Sequence, residues 1–241
     1  MIDIALNGPI ARINLSAPDR RNALTIAAMG EMSAALDTLA ADPDLRVVVL
    51  TGLGKTFCAG ADFTELERGL RPDLALSALT DKLANLPLPT IAALNGGVYG
   101  AGLDLALACD IRIGVEGLKT QVPAAAIGVH YPGDALARAQ AELGAPTARR
   151  LFLLADALTD VECLSCGLVQ ALHPADALQD AADVMAQRIA ALAPLAVQGM
   201  KRSLRHADDA TTRVTACFDS ADHTAALDAR REKRKPVFQN R

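Results

Sequence analysis

The chain has 241 residues, 51% of them hydrophobic and 22% charged, enough apolar material for a sizeable core and too much for a disordered polymer. Lys and Arg number 24 against 28 Asp and Glu, a net charge of −4 that leaves no broad basic surface for nucleic acid. Five Phe, two Tyr and no Trp offer no stacking platform for bases or sugars.

Ile2–Leu6 and Ala11–Leu15 alternate apolar and polar residues around Asn7-Gly8, the signal of a two-stranded hairpin. This N-terminus lacks the basic and continuous apolar regions of a signal peptide. No stretch of the chain approaches the roughly 18 apolar residues that a membrane span needs. Thr25–Ala41 carries Ile26, Met29, Met32, Leu36 and Leu39 at helical spacing and is closed by Asp42-Pro43. Arg46–Thr51 is a β-branched run of the kind buried on both faces of a parallel sheet. A Gly-rich loop follows, then a helix over about Asp73–Asn85 and a strand at Thr90–Leu94. A second Gly-rich loop opens a helix over Leu103–Cys109, and Ile111–Gly114 returns as a strand. Strand, glycine turn and helix in repetition predict parallel strands joined by crossovers.

The second half reads as mainly helical. Gly133–Leu143 and Thr147–Leu154 are two helices separated by Gly144 and Pro146. Thr159-Asp-Val-Glu162 has capping-box spacing, Gly167 ends that short helix, and Val169–Leu172 is a last strand. About three helices follow from Ala175, with turns at Ala193-Pro194 and His206–Asp208, and the tail Arg230–Arg241 is basic. Residues 193–241 read as a helical oligomerisation region appended to a core of residues 1–192, with no linker to make it an independent domain. Five cysteines, an odd number set mostly in apolar runs, are expected as free thiols in a reducing cytoplasm. Cys163 and Cys166 form a CxxC with no second pair, so no metal site is expected.

Both glycine loops fall short of nucleotide motifs. Gly54-Lys55-Thr56 resembles the end of a P-loop, but Val49 stands where its first glycine is needed. Gly97 to Gly102 spells GxxGxG rather than the dinucleotide order GxGxxG, and Asp110 comes too soon for the ribose carboxylate. Read together, Phe57-Cys-Ala-Gly-Ala-Asp62 and Asn95-Gly-Gly-Val-Tyr-Gly-Ala-Gly102 place small residues where two backbone N–H groups can approach one oxygen. Tight packing of small residues is the alternative reading.

The order and spacing of several motifs carry a resemblance over nearly the whole chain. They are Arg21-Asn22-Ala23-Leu24, Thr56 to Phe63, Pro89 to Gly96, Gly100 to Asp110, Gly167-Leu-Val169 and Glu232 to Phe238. With them the sequence resembles the enoyl-CoA hydratase/isomerase (crotonase) superfamily. The resemblance implies an α/β fold, a crotonase-like spiral of ββα units, with a helical C-terminal region that builds a homotrimer or a homohexamer. It implies an acyl-CoA thioester as substrate, an enolate intermediate, and no cofactor beyond the coenzyme A of the substrate. The thioester oxygen would be held by the amides of Ala61 and Ala101. Arg21 matches a position that contacts coenzyme A phosphates. Ala23, Ala59, Asp62, Phe63 and Gly100 match substrate-binding positions, Asp62 serving equally well as a helix N-cap.

The catalytic acids depart from the family pattern. Hydratases of the family use two glutamates. The first position is Asp104, one methylene shorter, and the second is Ala124, which moves no proton. Asp104 is therefore the expected proton-transfer group. His130, Tyr131 and Asp134 in the following loop are the possible replacements, each with a packing or capping role as its alternative. Hydration of a 2-enoyl-CoA is the expected reaction. Isomerisation, decarboxylation, hydrolysis or C–C cleavage through the same enolate is the alternative, as is a non-catalytic CoA-binding paralogue.

Overall fold

A computed structural model describes residues 1–206 and 208–240. Ala207, inside the expected His206–Asp208 turn, and Arg241, which ends the basic tail, lie outside the described residues. The N-terminal hairpin forms as expected: β1 (Ile2–Asn7) pairs antiparallel with β2 (Ile10–Leu15), Asn7 lying opposite Ile10. From β2 the chain crosses through α1 (Ile26–Ala41) into β3 (Val47–Gly52), parallel to β2. Thr25 caps α1 by accepting the Ala28 N–H, and Met29, Met32, Leu36 and Leu39 are buried. Every residue of β3 is buried, as a β-branched strand covered on both faces should be.

The glycine loops turn out to contain strands of their own. After β3 come β4 (Thr56–Cys58), the short α2 (Phe63–Glu67) and α3 (Asp73–Ala84). The next turn runs β5 (Thr90–Leu94), β6 (Gly97–Tyr99) and α4 (Ala101–Leu107). The third runs β7 (Ile111–Val115), β8 (Lys119–Gln121) and, after a 3-10 turn at Pro123–Ile127, α5 (Gly133–Leu153). The first strand of each turn joins a six-stranded sheet ordered β1-β2-β3-β5-β7-β10. The second joins a four-stranded sheet ordered β4-β6-β8-β9. Here β9 (Leu158–Thr159) pairs antiparallel with β8, and β10 (Ala171–His173) pairs parallel with β7. This is the spiral of ββα units that the family resemblance implies.

The C-terminal half departs from expectation in one place. The pair of helices expected around Gly144 forms as the two segments of α5, interrupted where Gly144 adopts the non-helical φ 76° and ψ 155° ahead of Pro146. Four helices rather than about three follow the capping-box helix α6 (Asp160–Ser165). They are α7 (Leu178–Ala190), α8 (Pro194–Arg205), α9 (Ala210–Phe218) and α10 (Ala221–Arg231). The turn between α9 and α10 is a short Asp219-Ser220 step in which Ser220 caps the second helix, so no glycine or proline marks it. Partly buried ion pairs fasten the region to the core: Lys201 on α8 donates to the Leu88 carbonyl and, like Arg205, pairs with Asp110 at the head of β7. Among the described residues no helix is long and apolar enough to cross a membrane.

Candidate active site

The site is assembled from two loops that leave successive strands of the small sheet. β4 and β6 are parallel neighbours in which Cys58 lies opposite Val98. Beyond β4 the chain turns through Gly60 at φ 101°, and beyond β6 it turns through Gly100 at φ 48° and ψ −120°. Both conformations belong to glycine. Space enforces the first as well: a Cβ on Gly60 would sit 3.0 Å from the Tyr99 carbonyl oxygen and 3.5 Å from the Ala101 nitrogen. The second loop leads straight into α4, which packs so closely on β4 that a Cβ on Gly102 would meet the Cys58 Cβ at 2.7 Å.

The amides of Ala61 and Ala101 are both uncommitted. A parallel bridge between Leu24 and Ala61 uses the N–H groups of Leu24 and Asp62, which donate to Gly60 and Leu24 carbonyls at 2.8 Å. The Ala61 N–H is left over. Ala101 opens α4, so its N–H has no carbonyl one turn earlier in the helix. Among the described residues neither amide donates to another group of the chain. The Cβ of Ala101 costs nothing here, because its φ is not positive.

The bridge also gathers the other expected binding positions. Ala59 donates its N–H to the Arg21 carbonyl at 2.9 Å, so Arg21, Ala23, Ala59 and Asp62 lie along one edge beside the glycine turn. The Arg21 side chain is exposed. Asp62 is a true N-cap of α2, accepting from the Thr64 N–H at 3.0 Å, and it also takes a hydrogen bond from Arg20 at 3.1 Å. Arg20 and Arg21 are adjacent, and only the structure tells that it is Arg20 that holds the cap. Phe63 is exposed and lines the adjoining cavity.

That cavity, of about 490 Å³, opens over the two loops. Ala59, Gly60, Ala61, Gly100 and Ala101 form one side. Leu66, Leu70, Leu76, Ala124, Ile127 and Val129 line it as well, with His130, Tyr131 and Pro132. Phe63, Leu70, Ile127 and Val129 are partly in solvent at its edges, an apolar rim of the sort that marks a ligand groove. Its ionic groups Arg71 and Asp73 are bound to each other in a bidentate pair at 2.9 and 2.6 Å.

The candidate acids are distributed differently from the sequence expectation. Asp104 is buried in the first turn of α4 and does not line the cavity. One carboxylate oxygen pairs with Arg138 of α5 and the other lies 3.0 Å from the Thr80 hydroxyl of α3. Burial pushes its carboxyl above the usual carboxylate range, and Arg138 and Thr80 pull it back. Asp134 is exposed in the first turn of α5, 3.2 Å from the Ser77 hydroxyl, and is likewise outside the cavity lining. His130 is exposed at the cavity wall and donates from Nδ1 to the Tyr131 carbonyl at 2.7 Å. The Tyr131 hydroxyl is buried with no hydrogen-bond partner among the described residues. Burial first, then the charge of Asp104, hold it protonated far above the ordinary phenol range. Cys58, beneath the glycine turn, is pushed up by burial to about 12 and stays a thiol. Arg138 and Thr80 escape sequence reasoning because nothing in the chain links residues 24 and 34 positions away from Asp104. No group of three or more His, Cys, Asp or Glu stands together among the described residues as a metal site would require.

A ββα spiral, with two free amides among the residues that line its apolar cavity, is the architecture of the crotonase-fold class. Comparison with known proteins narrows the class. A family model described as enoyl-CoA hydratase/isomerase matches residues 5–241. The protein named probable enoyl-CoA hydratase echA6 of Mycobacterium tuberculosis (strain CDC 1551 / Oshkosh) is 35% identical over 99% of both chains. The 2,3-dehydroadipyl-CoA hydratase of Escherichia coli (strain K12) is 29% identical over 95% of this chain and 94% of its own. Among solved structures, an enoyl-CoA hydratase/carnithine racemase from Magnetospirillum magneticum superposes with a TM-score of 0.93 at 33% identity, covering 100% of this chain and 96% of that one. The chain belongs to the enoyl-CoA hydratase/isomerase family.

Proposed function

We propose that the protein is an acyl-CoA-binding enzyme that hydrates a 2-enoyl-CoA through an enolate held at Ala61 and Ala101. The observation that carries this reading is the pair of uncommitted amides at the floor of the cavity. A thioester carbonyl placed there gains two donors whose strength is realised as charge builds on the oxygen. Loss of one such donor costs on the order of 10²–10³ in rate. Arg21, beside the glycine turn, supplies a cation for the coenzyme A phosphates, and Ala23, Ala59, Asp62, Phe63 and Gly100 border the pantetheine path. The names of the relatives support a 2-enoyl thioester as substrate. The apolar wall of Leu66, Leu70 and Ile127 suits an uncharged acyl group. The chemistry proposed requires only the coenzyme A of the substrate. Asp104, in this reading, acts from behind the cavity as the buried charge opposite Arg138.

Free, mostly buried thiols accord with a reducing compartment such as the cytoplasm. Exposed Met200, Leu204, Val214 and Phe218 on α8 and α9 accord with assembly into a trimer or a pair of trimers through residues 193–241.

The test is loss of the enoyl-thioester absorbance when crotonyl-CoA is mixed with the protein. Steady loss, inhibited competitively by free coenzyme A, is the expected result. Tight binding of crotonyl-CoA with no loss of absorbance would replace hydration by another enolate reaction or by a CoA-binding paralogue. Ala124 in the cavity wall, where the family's hydratases carry a glutamate, is the feature that favours that second reading.

A further inference from the structure

A second cavity, of about 460 Å³, lies between the turn that follows α3 and the helices α8 and α9. Its size falls in the range of roughly 300–1,000 Å³ that small-molecule sites occupy. Asp73 and Leu76 of α3 line the first cavity, Ala84 and the following Asn85 line this one, and no residue lines both. Leu86, Pro87, Leu195 and Ala216 make up much of its apolar lining. His206 donates from Nε2 to Asn85 Oδ1 at 2.7 Å, joining the end of α8 to the end of α3 beside the cavity. Gly199 leaves room in it: a Cβ there would meet nothing nearer than the Arg213 Cβ at 3.8 Å and the Cys217 Sγ at 4.0 Å.

The polar lining is one-sided in charge. Lys201, Arg202, Arg205 and Arg213 line the cavity and no carboxylate does. Asp110 serves both Lys201 and Arg205, at 2.8 and 3.1 Å. Asp208 serves both Arg202 and Arg213, at 3.4 and 3.5 Å. Four cations thus share two carboxylates, an excess of two positive charges around one space. Burial draws the Lys201 ammonium below the ordinary lysine range against the pull of Asp110, and Arg205 adds to the lowering. Arg202 has the most to offer a ligand. Its 3.4 Å contact with Asp208 is the one side-chain hydrogen bond it makes among the described residues, and a guanidinium carries five donors. Gln198, Lys201, Arg202 and Arg205 share one face of α8 at i, i+3, i+4 and i+7, whereas the exposed Met200 and Leu204 fall on the opposite face. Covering those apolar residues therefore leaves the cavity face of the helix as it is.

We propose that this cavity is a second binding site, for an alkyl carboxylate, with the anionic head at Arg202 and the chain against Leu86, Pro87, Leu195 and Ala216. An inorganic anion would meet the charge and leave the apolar lining wet. A neutral chain would cover the lining and leave the charge in excess. An amphipathic anion satisfies both.

Calorimetry with decanoate tests the assignment on the intact protein, saturated with butyryl-CoA so that the first cavity is filled. The expected result is one decanoate bound per chain, and binding at least ~10-fold weaker for neutral decanol. Arg202→Gln, at a largely exposed side chain, should weaken decanoate about tenfold and leave decanol unchanged. Gly199→Leu puts a side chain into the cavity and should abolish decanoate binding, while butyryl-CoA affinity stays within about threefold. The arginine variant keeps the test decisive even where the bulkier residue disturbs α8. Decanoate that does not bind the saturated protein overturns the proposal. Decanoate that binds with the same affinity in both variants sits elsewhere, which overturns it too. Equal affinity for decanol overturns the role of the charge, and the site with it.

Discussion

Arg138 and Asp104 meet in the interior, each drawn from a helix that would not otherwise tolerate a bare charge. The Arg138 side chain is 12% exposed and that of Asp104 is 2% exposed. Taking one partner from a buried pair strands the other, at a cost of about 3–5 kcal/mol. Arg138→Met should therefore destabilise strongly, and the loss should depend on pH. The Asp104 carboxyl already titrates above its unfolded value of 3.8, because burial outweighs its partners. Across the interval from 3.8 up to that raised value the folded state holds more protons than the unfolded one, so stability falls as pH rises. Removing the guanidinium widens the interval upward. The variant should approach wild-type stability in acid, where Asp104 is protonated and neutral, and fall away as pH rises towards neutrality. Urea unfolding at several pH values measures this, and a pH-independent deficit would refute it.

At the level of elements, the six-stranded sheet was legible because its strands, the three-residue β10 excepted, are long enough to show a pattern. β3 announces itself as a β-branched run and the hairpin as alternation around Asn7-Gly8. The four-stranded sheet was not, since β4, β6 and β8 have three residues each and β9 has two, too few for any periodicity. They appeared instead as glycine loops. The same loops were legible as a place where two backbone amides stay uncommitted, because small residues are a local signal. The partners of Asp104 were not, because contacts made by tertiary folding leave no trace at fixed spacing. Gly60 offers a test at this scale. A methyl at φ 101°, placed against the Tyr99 carbonyl, strains the turn by about 1–3 kcal/mol. Gly60→Ala should lower the urea midpoint modestly and reduce crotonyl-CoA turnover by on the order of 10²-fold, as the Ala61 amide is displaced. Unchanged turnover would mean that this amide is not used.

Over the whole molecule, the helical end is fastened to the core through α8 and its flank and is apolar elsewhere. Lys201 and Arg205 anchor α8 to Asp110. Met200 and Leu204, and again Val214 and Phe218, are spaced four apart, so each pair forms a stripe on its helix. Leu204 is 88% exposed and Phe218 66%, so two neighbouring helices present apolar side chains to solvent. Light scattering should find an assembly larger than one chain, and Leu204→Asp with Phe218→Asp should return it to the monomer. The anchor at Asp110 lies away from the substituted residues, so the circular dichroism of the variant should stay native. A monomeric wild type would dismiss the stripes as ordinary surface.

The register of the small sheet reaches further than its size suggests. Cys58 and Val98 are cross-strand partners, and the two amides sit three residues beyond each of them, at matching stations on consecutive turns of a screw. Their relative placement is accordingly set by backbone, the paired strands and the two glycine turns that follow them, and not by any side chain. A gauge of that kind does not drift when neighbouring residues are exchanged. The chemistry along the walls is free to be rewritten, from Ala101 to Ala124 and Tyr131, while the cradle for the developing charge keeps its calibre.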